Sequence, residues 1–140
     1  MRRHMLAALT MLLVACGGDT VSGPAPITGT YTLRTVNGSS LPATFYQDEI
    51  ERDDFFAGNV SLASDNSWTG SLSVNAVALS GGTLFNGALP VSGTYSLNTG
   101  SITLSDAAHG LVMTGTISGG TLTLTADLGA TQLTSFVFTR

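Results

Sequence analysis

The sequence predicts an all-β domain built as an antiparallel meander of about eight short strands. From residue 27 to the end, apolar residues alternate with threonine, serine or asparagine at a period of two. This pattern is typical of strands that have one buried face and one wet face. Glycine and asparagine recur between the alternating segments, where tight turns are expected.

The alternating segments define the strands in chain order. Residues 27–34 place Ile27, Tyr31 and Leu33 on one face, and the turn signal Asn37-Gly38 follows. Further strands are predicted at 41–47, 55–63, 68–76, 91–97, 101–105, 111–118, 121–126 and 132–139. The turns at 98–100 and 119–120 join the strands on either side of them into hairpins.

Two segments fit the alternation less well. The acidic stretch 48–54 follows a short strand, and a single turn of helix is one interpretation of residues 47–54. Residues 83–90 follow Gly81-Gly82 and carry an irregular pattern. The strand prediction resumes at Val91.

Such a meander has to bury one apolar face and protect its two edges. Closure into a small up-and-down barrel does both. An eight-stranded barrel has an interior that side chains can fill or that can hold one small ligand. A two-sheet β-sandwich is the alternative architecture.

The first residues have the layout of a secretory signal, with Arg2 and Arg3 before the apolar segment 5–14. That segment is far shorter than the roughly 20 residues that span a bilayer. It ends in Leu13-Val14-Ala15-Cys16, which resembles the lipobox of bacterial lipoproteins.

The lipoprotein resemblance implies cleavage before Cys16 and covalent attachment of diacylglycerol and an N-acyl chain, such as palmitate, to that residue. We therefore expect a signal peptide at 1–15, a lipidated cysteine with a flexible tether at 16–26, and a single domain at 27–140. The resemblance implies a membrane-anchored protein of the cell envelope, on a periplasmic or surface face. Gly17, in place of an aspartate, favours the outer membrane over the inner.

The scarcity of positive charge in the chain limits the kinds of partner that it can bind. Beyond Cys16 the chain has three arginines, no lysine and nine acidic residues. Phosphate binding needs clustered cations, so we expect no nucleic-acid partner. Cys16 is the one cysteine of the sequence, which excludes an internal disulfide.

The strand segments also resemble bacterial lipocalin-like lipoproteins over the whole domain. The resemblance is carried by residues 29–33, 36–38, 41–42, 93–97, 102–104, 122–124 and 136–140. It implies a small barrel of the calycin type and transfers no catalytic residue.

Catalytic and metal-binding patterns are weak. His109 is the one histidine of the predicted domain, and it follows Asp106 in a predicted turn without a nucleophile motif nearby. The acidic stretch 48–54 lacks the glycine of an EF-hand loop, and we interpret it as a solvated loop rather than a calcium site. We therefore expect no enzyme activity, no metal and no cofactor besides the covalent lipid.

The remaining candidates are aromatic. Phe45, Tyr46, Phe55, Phe56 and Trp68 are the predicted ligand-binding residues. The leading hypothesis is a monomeric, lipid-anchored, non-enzymatic barrel that binds a small apolar ligand or an envelope protein. The alternative is a structural or inhibitory interaction module with a solid core, which uses loops such as 81–89.

Overall fold

A computed structural model describes residues 26–129 and 132–140. Ten strands form one antiparallel sheet, and the described residues contain no helix. The strands are β1 Gly29–Val36, β2 Ser39–Ser40, β3 Ala43–Gln47, β4 Glu51–Leu62, β5 Ser67–Ala78, β6 Thr83–Asn98, β7 Ser101–Asp106, β8 Leu111–Ser118, β9 Thr121–Ala126 and β10 Thr134–Thr139. The predictions for the signal peptide, for Cys16 and for the tether up to residue 25 lie outside the described residues.

The sheet closes on itself as an eight-stranded barrel. Its strand order is β2-β1-β10-β9-β8-β7-β6-β5-β4-β3, and β1 also pairs with β4 through Gly29↔Leu62 and Thr32↔Asn59. The two short strands β2 and β3 lie outside the ring, each beside one barrel strand. The predicted all-β meander closed as a small barrel is therefore confirmed, and the sandwich alternative is wrong.

Period-two alternation directs the apolar residues into the barrel. In β9, for example, Leu122, Leu124 and Ala126 are buried while the threonines between them are half-buried. The interior residues are Tyr31, Leu33, Val36, Phe55, Val60, Leu62, Trp68, Leu72, Val74, Val91, Tyr95, Ile102, Leu104, Met113, Ile117, Leu122, Leu124, Ala126, Phe136 and Phe138. Burial of this surface is the main force that holds the closed sheet together.

One end of the barrel, here called the closed end, is partly covered by side chains and backbone, which leave an open hollow of about 290 Å³ beside Tyr31 and Arg140. The Tyr31 hydroxyl donates to the carbonyl of Ile27 at 2.6 Å, and the Tyr95 hydroxyl donates to the carbonyl of Ala63 at 2.7 Å. The Arg140 guanidinium lies over the Tyr31 ring, 5.5 Å from its centroid. The chain therefore enters the barrel at this end, beside its own last residue.

Trp68 fills the interior near the closed end and depends on a glycine to do so. Trp68 is opposite Gly93 in the β5–β6 pair, and its Nε1 donates to the carbonyl of Ser105 on β7 at 3.3 Å. A Cβ on Gly93 would overlap that same carbonyl oxygen. Gly93 thus allows β6 and β7 to approach closely where the sheet bends around the indole.

The strands differ in length, and the longer strands extend beyond the shorter ones at the end of the barrel opposite the closed end. β4 and β5 have 12 residues each and β6 has 16, whereas β7, β9 and β10 have six each. At about 3.3 Å per residue, β4 is about 40 Å long and β7 about 20 Å. We call β4, β5 and β6 the long wall, β7 to β10 the short wall, and the open end of the barrel the mouth.

Two local expectations were wrong. The segment 47–54 has no helical turn: β3 and β4 pair through Gln47↔Arg52, around a turn at 48–50. The irregular segment 83–90 is the first half of β6 and pairs with β5 from Val77↔Thr83 onwards. Residues 51–54 and 83–90 belong to the part of the long wall that extends beyond the pairing of β6 with β7.

Candidate functional site

The main hollow of the described structure lies at the mouth, between the raised long wall and the rim of the short wall. It is an open cleft of about 600 Å³, here called the mouth cleft. This volume falls within the range of about 300–1,000 Å³ typical of small-molecule sites. Its lining consists of Phe45, Asp53, Phe55, Leu72, Val74, Ala76, Phe85, Leu89, Pro90, Val91, His109, Gly110, Leu111, Asp127 and Leu128.

The long wall supplies the floor of the cleft through its inner face. Cross-strand register brings Ala76 opposite Phe85 and Leu72 opposite Leu89 on β5 and β6. Phe85 and Leu89 remain 41% and 44% exposed, although both are large and apolar. Contiguous exposed apolar surface of this kind marks a binding surface more often than a free face.

The edge of the long wall is also open. The β6–β7 pairing begins at Thr94↔Ser105, so residues 83–91 of β6 pair with β5 alone among the described strands. The exposed large apolar residues concentrate on this raised part of the molecule: Ile50, Phe56, Leu79, Leu84, Phe85 and Leu89.

Asp106 links β6 to the turn between β7 and β8, at the place where β6 ceases to pair with β7. Its carboxylate is buried, and it accepts from the amide of Ser92 on β6 at 3.2 Å and from the amide of Ala108 at 2.9 Å. It also contacts His109 Nδ1 at 2.7 Å. The imidazole hydrogen bond lowers the pKa of Asp106, and the backbone donors add to that effect against the cost of lost hydration.

The Asp106–His109 pair resembles two members of a catalytic triad, but its surroundings do not complete one. None of the cleft-lining residues identified above carries a hydroxyl or a thiol. Acyl transfer needs such a nucleophile beside the imidazole. The carboxylate instead fixes the turn between β7 and β8, which places His109 at the rim of the cleft.

An acidic corner borders the cleft where β3 meets β4. We define it as Tyr46, Asp48, Glu51 and Asp53. Tyr46 is opposite Asp53 across the two strands, and its hydroxyl donates to Asp48 Oδ2 at 2.8 Å. Alternation along β4 turns Arg52 and Asp54 to the other face, where Arg52 Nε donates to Asp54 Oδ2 at 3.0 Å.

The carboxylates of the acidic corner differ in the hydrogen-bond donors that they have. The Asp48 carboxylate accepts from the amides of Ile50 and Glu51 at 2.8 and 2.7 Å, and these donors and the Tyr46 hydroxyl lower its pKa. Partial loss of hydration and the charge of Asp53 raise the pKa of Glu51. Asp53 Oδ1 is buried, and within residues 26–129 and 132–140 no donor lies within hydrogen-bond distance of it.

The five predicted ligand-binding aromatics are distributed over different regions. Phe45 and Phe55 line the mouth cleft and stack with ring centroids 4.2 Å apart. Tyr46 belongs to the acidic corner. Phe56 faces a separate hollow with Pro42 and Asn75, and Trp68 is buried with 1% exposure.

The predicted ligand-binding residues did not include most of the apolar lining, such as Leu72, Phe85 and Leu89. A signal for Phe85 and Leu89 was present in 83–90, where leucine, phenylalanine and proline occur without a regular polar alternation. That composition is what an edge strand with one unpaired side and an open apolar face carries.

The part of the chain that the structure describes contains neither a group of metal-ligating side chains nor a helix that could span a membrane. No three histidine, cysteine or carboxylate side chains are grouped there so as to hold a metal ion. No helix within residues 26–129 and 132–140 has the length and apolar character needed to cross a membrane.

Comparison of the chain with models of protein families, with curated proteins and with solved structures found no match.

Proposed function

We propose that this chain is a lipid-anchored protein of the bacterial cell envelope whose lipocalin-like barrel binds a small apolar molecule in the mouth cleft. The observation that carries the proposal is the cleft itself: about 600 Å³ of open space against the apolar inner face of the long wall. Its role is binding rather than catalysis, since the lining offers no nucleophile to the Asp106–His109 pair.

Two features of the lining support an apolar ligand. The floor is made of aliphatic and aromatic side chains, and Phe85 and Leu89 keep large exposed areas that a ligand would cover. Burial of apolar surface stabilises a complex by about 25 cal/mol per Å² before the costs of association.

The test is native mass spectrometry of the wild-type protein extracted from its own membranes in mild detergent. We expect a reproducible added mass, beyond the acyl groups on Cys16, that is lost on denaturation. Leu89→Asp places a charge in the lining at a half-exposed position and should abolish the added mass. Val112→Asp, 52% exposed on β8 and outside the lining, is the matched control and should retain it. Equal occupancy in both variants would contradict the proposed site.

The proposed membrane anchor is the lipid on Cys16, and it is tested separately from the cleft. The Cys16→Ser variant should leave the membrane fraction, and the wild-type protein should carry acyl chains by intact mass. A wild-type protein without acyl chains would contradict the lipoprotein assignment and leave the cleft unaffected.

A second candidate function is protein binding through strand addition. The specific observation in its favour is the edge of β6 at 83–91, which pairs with β5 alone among the described strands. Leu84→Asp separates the two functions, because Leu84 is 58% exposed at this edge and is not part of the cleft lining. Loss of a co-purifying protein in this variant, with the small-molecule mass retained, would favour the partner.

A further inference from the structure

The unpaired edge of β6 has a defined length. It consists of residues 83–91, here called the open edge, which pair with β5 alone among the described strands. At one end, β6 begins at Thr83, directly after the turn from β5. At the other end, the Ser92 amide donates to the buried Asp106 carboxylate at 3.2 Å. The midpoint of the open edge is Gly87.

The even-numbered residues of β6 direct their backbone groups outward from this edge. The Tyr95 amide donates to the carbonyl of Asn66 at 2.8 Å, so the odd-numbered residues bond to β5 and the even-numbered ones face away from it. Asn86 and Ala88 therefore present amide and carbonyl groups that no described strand meets. Pro90 follows in this series, at the kind of position where a sheet tolerates a missing amide hydrogen.

The open edge carries no charge. No residue from 66 to 105 is acidic, basic or a histidine, although the whole chain has a formal net charge of −4. Charged side chains on an edge strand commonly prevent it from pairing with another sheet, and this edge lacks them. The acidic corner lies on β3 and β4 and is separated from the edge by β5. Two copies of this acidic chain therefore meet less repulsion at the open edge than at the acidic corner.

We infer that the open edge pairs with the open edge of a second copy, antiparallel and about a twofold axis at Gly87. The inference names the partner for the second candidate function, strand addition, and does not depend on a ligand in the mouth cleft. In this register Asn86 of each copy exchanges both backbone hydrogen bonds with Ala88 of the other. The whole open edge is then paired, because residues 83–91 are symmetric about their midpoint.

The same axis brings the exposed apolar side chains of the inner face together. Phe85 and Leu89 lie two residues on either side of Gly87 and are 41% and 44% exposed. Each Phe85 is therefore directly opposite Leu89 of the second copy, and apolar cross-strand pairs of this kind stabilise a sheet. Gly87 is opposite Gly87 of the second copy, where neither strand has a side chain to hold the two edges apart.

The first measurement is the mass in solution by sedimentation velocity. The protein is the full chain with Cys16→Ser, which carries no lipid and no cysteine. We expect a dimer whose fraction rises with concentration up to about 100 µM. Ala88→Pro removes an amide hydrogen that faces the open edge and bonds to no described strand, so it should leave a folded monomer.

A matched pair of charge variants tests the same surface without a change of backbone. Asn86→Asp places like charges near each other at the twofold axis and should weaken the dimer at least about fivefold at low ionic strength. Asn98→Asp makes the same change at an exposed position of β6 at the closed end and should keep the dimer.

The register is tested by disulfide trapping in the Cys16→Ser background. Facing residues that share no backbone hydrogen bond have Cα atoms about 4.5 Å apart, which suits a disulfide, so Gly87→Cys should give a covalent dimer on mild oxidation. Leu84→Cys is the control, 58% exposed on the same strand. In this register Leu84 lies about 20 Å from Leu84 of the second copy, so its cysteine variant should not be trapped.

Each outcome decides the inference. Trapping at Gly87→Cys without trapping at Leu84→Cys, together with loss of the dimer in Ala88→Pro, supports it. A monomer at every concentration, equal trapping of both cysteine variants, or a dimer that persists in Ala88→Pro would overturn it. Loss of a different co-purifying protein in Leu84→Asp, from a chain that is itself monomeric, would overturn the second copy and keep strand addition. None of these results changes the test of small-molecule binding in the mouth cleft.

Discussion

The closed end and the mouth are built from the same long strands and put them to different use. Near the closed end, β5 and β6 carry Trp68 and Tyr95, which are both buried. At the mouth, β6 runs beyond its last pair with β7, and its inward-facing Phe85 and Leu89 stay 41% and 44% exposed. The inner face of β6 is therefore part of the core near its pairing with β7 and a surface farther along the strand.

Gly93 and Gly87 give the most sensitive test of this comparison, since both lie on the inner face of β6. A Cβ on Gly93 would overlap the Ser105 carbonyl oxygen, whereas a Cβ on Gly87 would lie 3.1 Å from the movable Phe85 ring. We expect Gly93→Ala to lower the free energy of unfolding by about 3 kcal/mol or more, because backbone has to shift. Gly87→Ala should change it by less than about 1 kcal/mol. Denaturant unfolding measures both, and similar losses would mean that the mouth is packed as tightly as the closed end.

A second test uses leucines from the two regions. Leu104 is fully buried on β7, so Leu104→Ala should lower the free energy of unfolding by about 3 kcal/mol. Leu89→Ala should cost less than about 1 kcal/mol, because nearly half of that side chain is already in water. It should instead weaken the binding of octanol, a small apolar probe, severalfold in isothermal titration calorimetry. If Leu89→Ala destabilised the fold as much as Leu104→Ala, Leu89 would be a core residue and not a ligand contact.

The smallest expected effect is the pH dependence that comes from Asp106, at the boundary of the two regions. Its folded-state pKa is lowered below the ordinary 3.8, so its contribution to stability is present above that pH and is lost as the pH falls through the lowered pKa. Asp106→Asn should lower the melting temperature at neutral pH, and that difference should narrow in acid. Melting curves from pH 7 to pH 2 measure this, with Glu49→Gln as the charge control. A difference that is constant over this range would exclude the titration of Asp106 as its cause.

The strands of the short wall could be predicted almost completely from the sequence. In 101–105, 111–118 and 121–126, apolar and hydroxyl residues alternate because each strand has one buried face and one wet face. The glycines at the turns between them adopt the positive φ that hairpins require, such as 82° at Gly120. Local pattern and final environment agree there, so the sequence was sufficient.

The mouth could not be predicted in the same way, because its environment depends on the lengths of non-neighbouring strands. The carboxylates of 51–54 have low strand propensity, yet β4 pairs with both β3 and β5 at this point, and that pairing overrides the local preference. The aromatic residues were grouped by type, whereas burial separates Trp68 from Phe45 and Phe55. Which aromatic lines a cleft depends on its distance along the strand from the short wall's rim, and this distance is a property of the closed barrel.

The chain enters the barrel at the closed end, beside Arg140. Arg140 Nη1 donates to the carbonyl of Thr28 at 2.9 Å and ties the two ends of the domain together there. The mouth cleft lies at the far end of strands about 40 Å long. If the proposed anchor at Cys16 is present, the tether joins the domain at the closed end, and the mouth is the end farther from the point of attachment.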